Sequence, residues 1–250
     1  SRGLDFGATL FQLLVPLEFK AAARQAGNLL LMVDETTANL PWEMLEVDGS
    51  PMVLQTQVVR QFITTRFRHQ VVRTDTLSAY VISEPSTEGF HAQFGGADWK
   101  PRIGADGKPE ADCLVPLPGA VAEGMTVSRV LSDAGYNVIE APPDSQATDI
   151  FTRLYARPYR LLMISAHGIH ARQAADGSHR SGVVLSNGLL LTAAEIGQME
   201  SVPDLVFLNC CELGKIGTGG GRLAASLARE LIDIGVRCVV AAGWEVNDAA

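Results

Sequence analysis

The chain has 250 residues, of which 47% are hydrophobic, so it is long and apolar enough to bury the core of one large or two small domains. Its formal net charge of −8, from 20 basic and 28 acidic residues, argues against nucleic acid as the main partner. No apolar run approaches the roughly 20 residues that a membrane helix needs, so we predict no membrane partner either.

The cysteine pattern is typical of a reducing compartment rather than of a disulfide framework. Cys210 and Cys211 are adjacent, and Cys113 and Cys238 lie apart from them. No pair has the spacing of metal ligands, so we predict no metal site. We also predict a cytoplasmic location, in keeping with a reducing compartment, and no cofactor. The chain starts at Ser1 without a signal peptide and stops shortly after an apolar strand, so we expect native sequence to be missing at both ends.

Residues 1–75 are predicted to form a separate N-terminal part. The spacing of apolar residues predicts a helix over 7–17 and a strand over 28–33. The segment 40–47, with the sequence LPWEMLEV, predicts a further helix with Pro41 at its first position.

From residue 76 onward, predicted strands alternate with predicted helices. The predicted strands are 76–83, 136–139, 161–166, 205–211 and 236–242, and the predicted helices between them include 119–134, 148–155 and 222–234. This order predicts an α/β fold with a mainly parallel central sheet and helices on both faces. Asn187 and Gly188 predict a hairpin turn, and Thr192 with Glu195 predicts a capping box.

Two stretches of this second part are predicted to lie outside the regular elements. Residues 84–116 are crowded with glycine and proline, which predicts a long surface insertion. Residues 169–180 are polar and are predicted to form a loop. In the helix 119–134, the residues expected to face the core are Val121, Met125, Val130 and Leu131.

Two of the predicted strands lead to residues that could perform chemistry. The strand 161–166 is followed by His167 and Gly168, and the strand 205–211 ends at Cys211. If these strands are parallel neighbours, both side chains lie at the edge where open α/β sheets place their ligands. A histidine beside a thiol is the minimum for cysteine nucleophilic catalysis. Taken singly, the histidine is equally compatible with a plain strand end. For the cysteine taken singly, a buried core thiol is the favoured interpretation.

The adjacent cysteines can be told apart by strand geometry. Side chains alternate along a strand, so Cys210 and Cys211 point to opposite faces and only one of them can meet His167. Cys211 is the last residue of the predicted strand and is therefore the better nucleophile. The backbone N–H groups of Gly168 and Cys211 are candidate donors to an oxyanion.

A different interpretation starts from the glycine-rich run 217–221, which could be a nucleotide-binding loop. The run lacks the Gly-Lys-Ser/Thr ending and does not close directly on a strand, so a flexible loop is favoured. His170, Asp176 and His179 are close in sequence, but we interpret them as solvated loop residues rather than metal ligands.

Together these residues resemble the CHAT family, a caspase-like family of bacterial and plant proteins that are often joined to TPR repeats. The resemblance covers most of the chain and rests on short motifs in the order of the family. The matching residues are Leu40, Pro41, Trp42 and Glu43, then His167 and Gly168, then Ser181, Gly182, Leu185 and Ser186, then Leu208, Cys211, Glu212 and Gly214, then Trp244, Val246 and Asp248.

The resemblance implies a cysteine endopeptidase that cleaves a protein substrate through a thioester acyl-enzyme. It implies that His167 and Cys211 form the dyad, and that residues 76–250 form a caspase-like catalytic core supported by 1–75. The oxyanion or substrate-binding residues would be Gly168, Asn209, Cys210 and Glu212. Activation by an attached sensor domain or partner protein, such as a TPR-type protein, is implied as well. So is a role in bacterial defence, including antiviral defence, or in programmed cell death.

The chain departs from the family pattern beside the predicted nucleophile. Asn209, Cys210 and Leu213 replace the usual Ser, Ala and Thr. Metacaspases carry an Asp at the position of Asn209, where it helps to hold a basic substrate side chain, so this residue does not support a preference for Arg or Lys. The alternative function is a catalytically silent interaction module of the same family.

Overall fold

The computed structural model describes residues 6–25, 27–34, 36–68, 70–95, 103, 112–212 and 222–241. The chain divides into two units, Ser1–Thr65 and Arg66–Ala250, rather than at the predicted boundary after residue 75. None of the helices in the described ranges is long and apolar enough to span a lipid bilayer.

The first unit is built from short elements around a small core. Its helices and strands are α1 (Phe6–Leu14), α2 (Lys20–Gln25), β1 (Asn28–Val33), β2 (Glu46–Val47), β3 (Ser50–Pro51) and β4 (Gln57–Phe62). Strands β1 and β4 pair in parallel, and β2 and β3 form an antiparallel pair. Phe11, Leu45, Val47 and Met52 form the buried cluster of this unit. The strand predicted over 28–33 is confirmed.

The segment 40–47 does not form the predicted α-helix. Trp42–Met44 makes one turn of 3-10 helix, and β2 follows it. The indole Nε1 of Trp42 donates to the carbonyl of Thr37 at 2.7 Å, and Glu43 forms a salt bridge with Arg60 of β4. A helix of this length would not be stable by itself. The contacts with other parts of the unit instead hold the segment in its observed conformation.

The second unit contains a seven-stranded sheet in its described residues. Its elements are β5 (Ser78–Ser83), α3 (Phe90–Phe94), α4 (Pro118–Asp133), β6 (Asn137–Ala141), α5 (Ala147–Ala156), β7 (Leu161–Gln173), β8 (His179–Val184), β9 (Leu190–Leu191), α6 (Ala193–Gly197), β10 (Leu205–Glu212), α7 (Arg222–Asp233) and β11 (Cys238–Ala241). The strand order is β11-β10-β7-β5-β6, and every pair along it is parallel. Strands β8 and β9 extend the sheet from β7 with antiparallel pairing.

Helices cover both faces of this sheet. One face, which includes Tyr80, Leu162 and Val206, packs against α5, α6 and α7 in the main core. The opposite face packs against α4, where Gly124 lies directly over Ser83 of β5. The predicted α/β fold with a mainly parallel sheet and helices on both faces is therefore confirmed.

Helix α4 presents a different side to the sheet from the one predicted. Met125 and Val130 are 70% and 57% exposed, whereas Ala120, Gly124 and Ser128 are buried. A Cβ atom on Gly124 would lie 2.6 Å from the Cβ atom of Ser83. Small residues form the buried side because the helix lies too close to β5 for larger ones.

The described part of the stretch 84–116 is not the surface insertion that its composition predicts. Both phenylalanines of α3 are almost fully buried, and they pack with Ile169 and Val184 in a second core cluster. Residues 96–102 and 104–111 of the stretch lie outside the described residues. Glycine and proline therefore do not mark a surface position here, since the aromatic residues between them contribute to the core.

The prediction of a loop over residues 169–180 is also wrong. Strand β7 continues past His167 to Gln173, turns, and returns as β8. Ile169 is completely buried under α3, which gives this hairpin a core of its own. The hairpin turn predicted at Asn187-Gly188 is confirmed, since both residues have positive φ between β8 and β9. The capping box of Thr192 and Glu195 is confirmed as well.

Candidate active site

The strands that carry the predicted catalytic residues are parallel neighbours. In the register of β7 and β10, His167 and Cys211 are Cα partners. Neighbouring strands lie about 4.8 Å apart. The parallel ladders of β7 end close to this row, because its last partner in β5 is Ser83, opposite Ser165, and its last partner in β10 is Glu212, opposite Gly168. His167 and Cys211 are therefore at the carboxyl edge of the parallel part of the sheet.

Cys210 lies on the other face of the sheet. Its side chain is 8% exposed, belongs to the main core, and points its Sγ toward the carbonyl oxygen of Ile164 at 3.9 Å. The period of the strand gives Cys211 the next position on the face of Asn209. A substrate contact through the side chain of Cys210, as the resemblance implies, is therefore not supported.

The imidazole of His167 is 8% exposed and is held by a backbone group. Its Nε2 lies 2.7 Å from the carbonyl oxygen of Val115. A carbonyl oxygen can only accept a hydrogen bond, so Nε2 carries a proton in this arrangement. In the neutral ring, Nδ1 is then the basic nitrogen. The backbone carbonyl of Val115 thus orients the imidazole of His167.

The segment 112–117, which supplies this carbonyl, is fixed at its start. The Asp112 carboxylate accepts hydrogen bonds from the backbone N–H groups of His91 and Ala92, at 2.8 and 2.9 Å. The same carboxylate contacts Nδ1 of His91 at 2.8 Å. Two residues further on, the N–H of Leu114 donates to the hydroxyl of Thr87 at 2.9 Å. The position of Val115 is therefore set by α3 and the turn before it.

A carboxylate lies two residues before the paired His167 and Cys211 along the strands. Glu123 of α4 accepts a hydrogen bond from the hydroxyl of Ser165 at 2.6 Å and from the amide of Asn209 at 2.8 Å, both at Oε2. Ser165 and Asn209 are themselves Cα partners in β7 and β10. Glu123 therefore connects the two strands two residues before the predicted dyad.

For Gly168 and Glu212, the other predicted site residues, the backbone register of the strands gives their positions. Gly168 is in register with Glu212 of β10 on one side and with Val183 of β8 on the other. Gly168 is thus an interior strand residue, and no turn follows it. Leu213 and the glycine-rich run 217–221 lie outside the described residues, as do Trp244, Val246 and Asp248.

The remaining thiols are less suited to nucleophilic chemistry. Partial burial raises the pKa of the Cys113 thiol, and the nearby carboxylates of Glu88, Asp112 and Asp144 raise it further. A raised pKa lowers the fraction of reactive thiolate. Cys238 is exposed at the start of β11, at the opposite end of the strands from His167.

No group of three or more potential metal ligands occurs among the described side chains. His170 lies 3.4 Å from the hydroxyl of Ser181, and Asp176 pairs with Arg180 at the hairpin turn.

Sequence reasoning missed Val115, Glu123 and Ser165. Ser165 could have been found, because it lies two residues before His167 and so shares its face. Glu123 is the first acidic residue of its helix, but which side of α4 meets the sheet was predicted incorrectly. Nothing in the sequence indicated Val115, because the group that contacts His167 is its backbone carbonyl, and every residue has one.

Two comparisons with known proteins found matches. The family model described as "CHAT domain" matches residues 4–250. A crystal structure of the Arg-specific cysteine proteinase gingipain R is similar to the chain with a TM-score of 0.49 and 13% sequence identity, over 96% of this chain and 56% of that one. The chain thus spans little more than half the length of that structure. No curated protein matches the chain.

Proposed function

Because the chain belongs to the CHAT-domain family, we propose that it is a cysteine endopeptidase with Cys211 as the nucleophile and His167 as the general base. The observation that carries the proposal is the register of β7 and β10, which makes these two residues partners across neighbouring strands. The burial of Cys210 in the core on the other face supports the choice of Cys211.

The proposed reaction begins with proton transfer from the thiol of Cys211 to Nδ1 of His167. The thiolate attacks the carbonyl carbon of the scissile peptide bond, and the carbon–nitrogen bond then breaks to leave a thioester. The leaving amine takes the proton from Nδ1. Water, deprotonated by the same nitrogen, hydrolyses the thioester and regenerates the thiol. The hydrogen bond from Nε2 to Val115 favours this use of Nδ1 throughout.

The tetrahedral intermediate requires donors to its oxyanion. We propose the backbone N–H groups of Gly168 and Cys211 for this role, with Asn209 and Glu212 near the bound peptide. Gly168 is adjacent to the general base, and its lack of a Cβ atom leaves room for a substrate oxygen.

Substitution of the adjacent cysteines tests the proposal. Cys211→Ala should lower the rate of cleavage in a peptide-library screen by several orders of magnitude, as expected for a nucleophile. Cys210→Ala is the matched control and should keep measurable activity. A thiol-directed alkylator followed by peptide mapping should modify Cys211 first, and His167→Ala should slow that modification.

The alternative function, a catalytically silent interaction module, makes the opposite prediction. If alkylation of Cys211 were no faster than that of Cys113, and His167→Ala had no effect on it, the module would be favoured. Loss of activity in Cys210→Ala but not in Cys211→Ala would refute the assignment of the nucleophile.

We further propose that the peptidase is activated by an attached sensor domain or a TPR-type partner, and that it acts in bacterial defence or programmed cell death. The segment 169–180, predicted to be a loop, is a hairpin packed on α3, so activation through ordering of this segment is not supported. Hydrogen exchange with and without the partner should instead show a change at 112–117, which carries Val115. Full activity in the isolated chain, with no change in this segment, would exclude the proposed activation.

A further inference from the structure

Three polar residues lie side by side across the sheet, two residues before the proposed dyad along the strands. Ser83, Ser165 and Asn209 are successive Cα partners in β5, β7 and β10. Helix α4 covers this row with two consecutive residues, Gly124 over Ser83 and Glu123 against the other two. The close approach at Gly124 therefore brings the carboxylate of Glu123 down to the sheet between β7 and β10.

The negative charge of Glu123 has no cationic partner among the described residues. Its two hydrogen bonds come from a neutral hydroxyl and a neutral amide, and both end at Oε2. No donor to Oε1 occurs in the part of the chain that the structure describes. Oε1 can therefore accept a further hydrogen bond, and a cationic donor makes a stronger one than a neutral donor.

The spacing along the strands between the Ser165–Asn209 pair and the dyad matches the length of one long side chain. Ser165 and Asn209 precede His167 and Cys211 by two residues, which is about 6.6 Å along a parallel strand. A lysine or arginine side chain extends about 6 to 7 Å from its Cα atom, by the sum of its bond projections. A substrate residue whose carbonyl lies at Cys211 could thus place its charged group at Oε1 of Glu123.

We propose that Glu123 is a specificity-determining residue that accepts the cationic side chain on the acyl side of the scissile bond. The inference rests on the proposed peptidase function and adds the class of substrate. Asn209 is neutral, yet it donates to Glu123, so a negative charge is present at this position through its hydrogen-bond partner. Substrates with lysine or arginine before the cleaved bond are selected over neutral and acidic ones.

Two thiol-reactive peptide probes that differ in one group test this inference. Both are peptidyl acyloxymethyl ketones, one with arginine and the other with its neutral isostere citrulline at the residue next to the reactive carbon. The rate of Cys211 modification is followed by mass spectrometry. In the unsubstituted chain, the arginine probe should react about tenfold faster or more, as expected for a hydrogen bond to a charged group.

Substitution of the carboxylate should remove this preference. Glu123→Gln keeps the size of the side chain, and the two probes should then react at similar rates. Asp133→Asn, which removes a charge from the end of the same helix, is the matched control and should keep the full preference.

The outcomes separate this inference from the proposed function. Modification of Cys211 at equal rates by both probes in the unsubstituted chain would overturn the cationic preference and leave the peptidase proposal standing. If Glu123→Gln slowed both probes to the same extent, Glu123 would have a packing role and the inference of a cationic preference would be overturned. Failure of both probes to modify Cys211 would overturn the proposed function, and the inference with it. The comparison in the unsubstituted chain decides the matter even if Glu123→Gln does not fold.

Discussion

His167 and Val115 are joined by a hydrogen bond of 2.7 Å between Nε2 of the imidazole and the backbone carbonyl oxygen. Because the partner is a backbone group, the orientation of the histidine depends on how firmly the segment 112–117 is held. That segment is tied to the start of α3 by the carboxylate of Asp112. The reactivity of the proposed dyad should therefore respond to changes at a residue that touches neither His167 nor Cys211.

Asp112→Ala should lower the rate of Cys211 modification by about tenfold, which corresponds to about 1.4 kcal/mol. The substitution removes the acceptor of two backbone N–H groups and of the His91 ring, so Val115 loses its anchor. The free energy of unfolding should fall by about 1 kcal/mol, as for other residues that cap a helix. Asp176→Ala, at the exposed turn between β7 and β8, is the control and should leave the rate unchanged. An unaltered rate in Asp112→Ala would contradict the role given to Val115.

Phe90→Ala should destabilise the protein by about 3 to 5 kcal/mol, because the side chain is 1% exposed and belongs to the cluster under α3. Chemical denaturation measures this change. Val115→Ala lies in the same stretch, removes a side chain that is 79% exposed and keeps the backbone carbonyl, so its effect should stay within about 0.5 kcal/mol. A small effect of Phe90→Ala would restore the interpretation of this region as a surface insertion.

Gly124→Ala should lower the free energy of unfolding by about 1 to 3 kcal/mol, since the added methyl group would collide with Ser83. The double variant with Ser83→Gly removes the atoms that the methyl group would meet and should recover part of the loss. Met125→Ala, on the exposed side of α4, is expected to be nearly neutral. If Met125→Ala were the more damaging substitution, the assignment of the buried side of α4 would be wrong.

Asp176 should titrate well below its ordinary value of 3.8. Hydrogen bonds from the Ser178 side chain and backbone, and then the Arg180 guanidinium, lower the pKa of this carboxyl to about 2. These groups favour the charged form in the folded state, so their support of the hairpin turn is present at neutral pH and is lost as the pH falls through about 2. The carboxyl chemical shift of Asp176 should show this midpoint. In Ser178→Ala the midpoint should move up toward 3.8, and an unchanged midpoint would show that another cause dominates.

Much of the site follows from short-range patterns in the sequence. The apolar runs located the strands that end near His167 and Cys211, because a strand buried on both faces has no alternative to a continuous apolar run. The separation of Cys210 from Cys211 follows from the two-residue period of a strand, which holds in any fold. The capping box at Thr192 is equally local, since its partners lie three residues apart.

The tertiary structure alone decided which groups surround these residues. Val115 and Glu123 reach the sheet from a stretch far away in the chain, and a backbone carbonyl has no signature in the sequence. The buried side of α4 was decided by its closeness to β5, which favours Gly124 over the larger Met125. Beyond His167, the polar residues of β7 form a strand because β8 supplies hydrogen bonds and α3 supplies an apolar cover. Partners of this kind lie far apart in the chain, so the pattern within any one segment cannot reveal them.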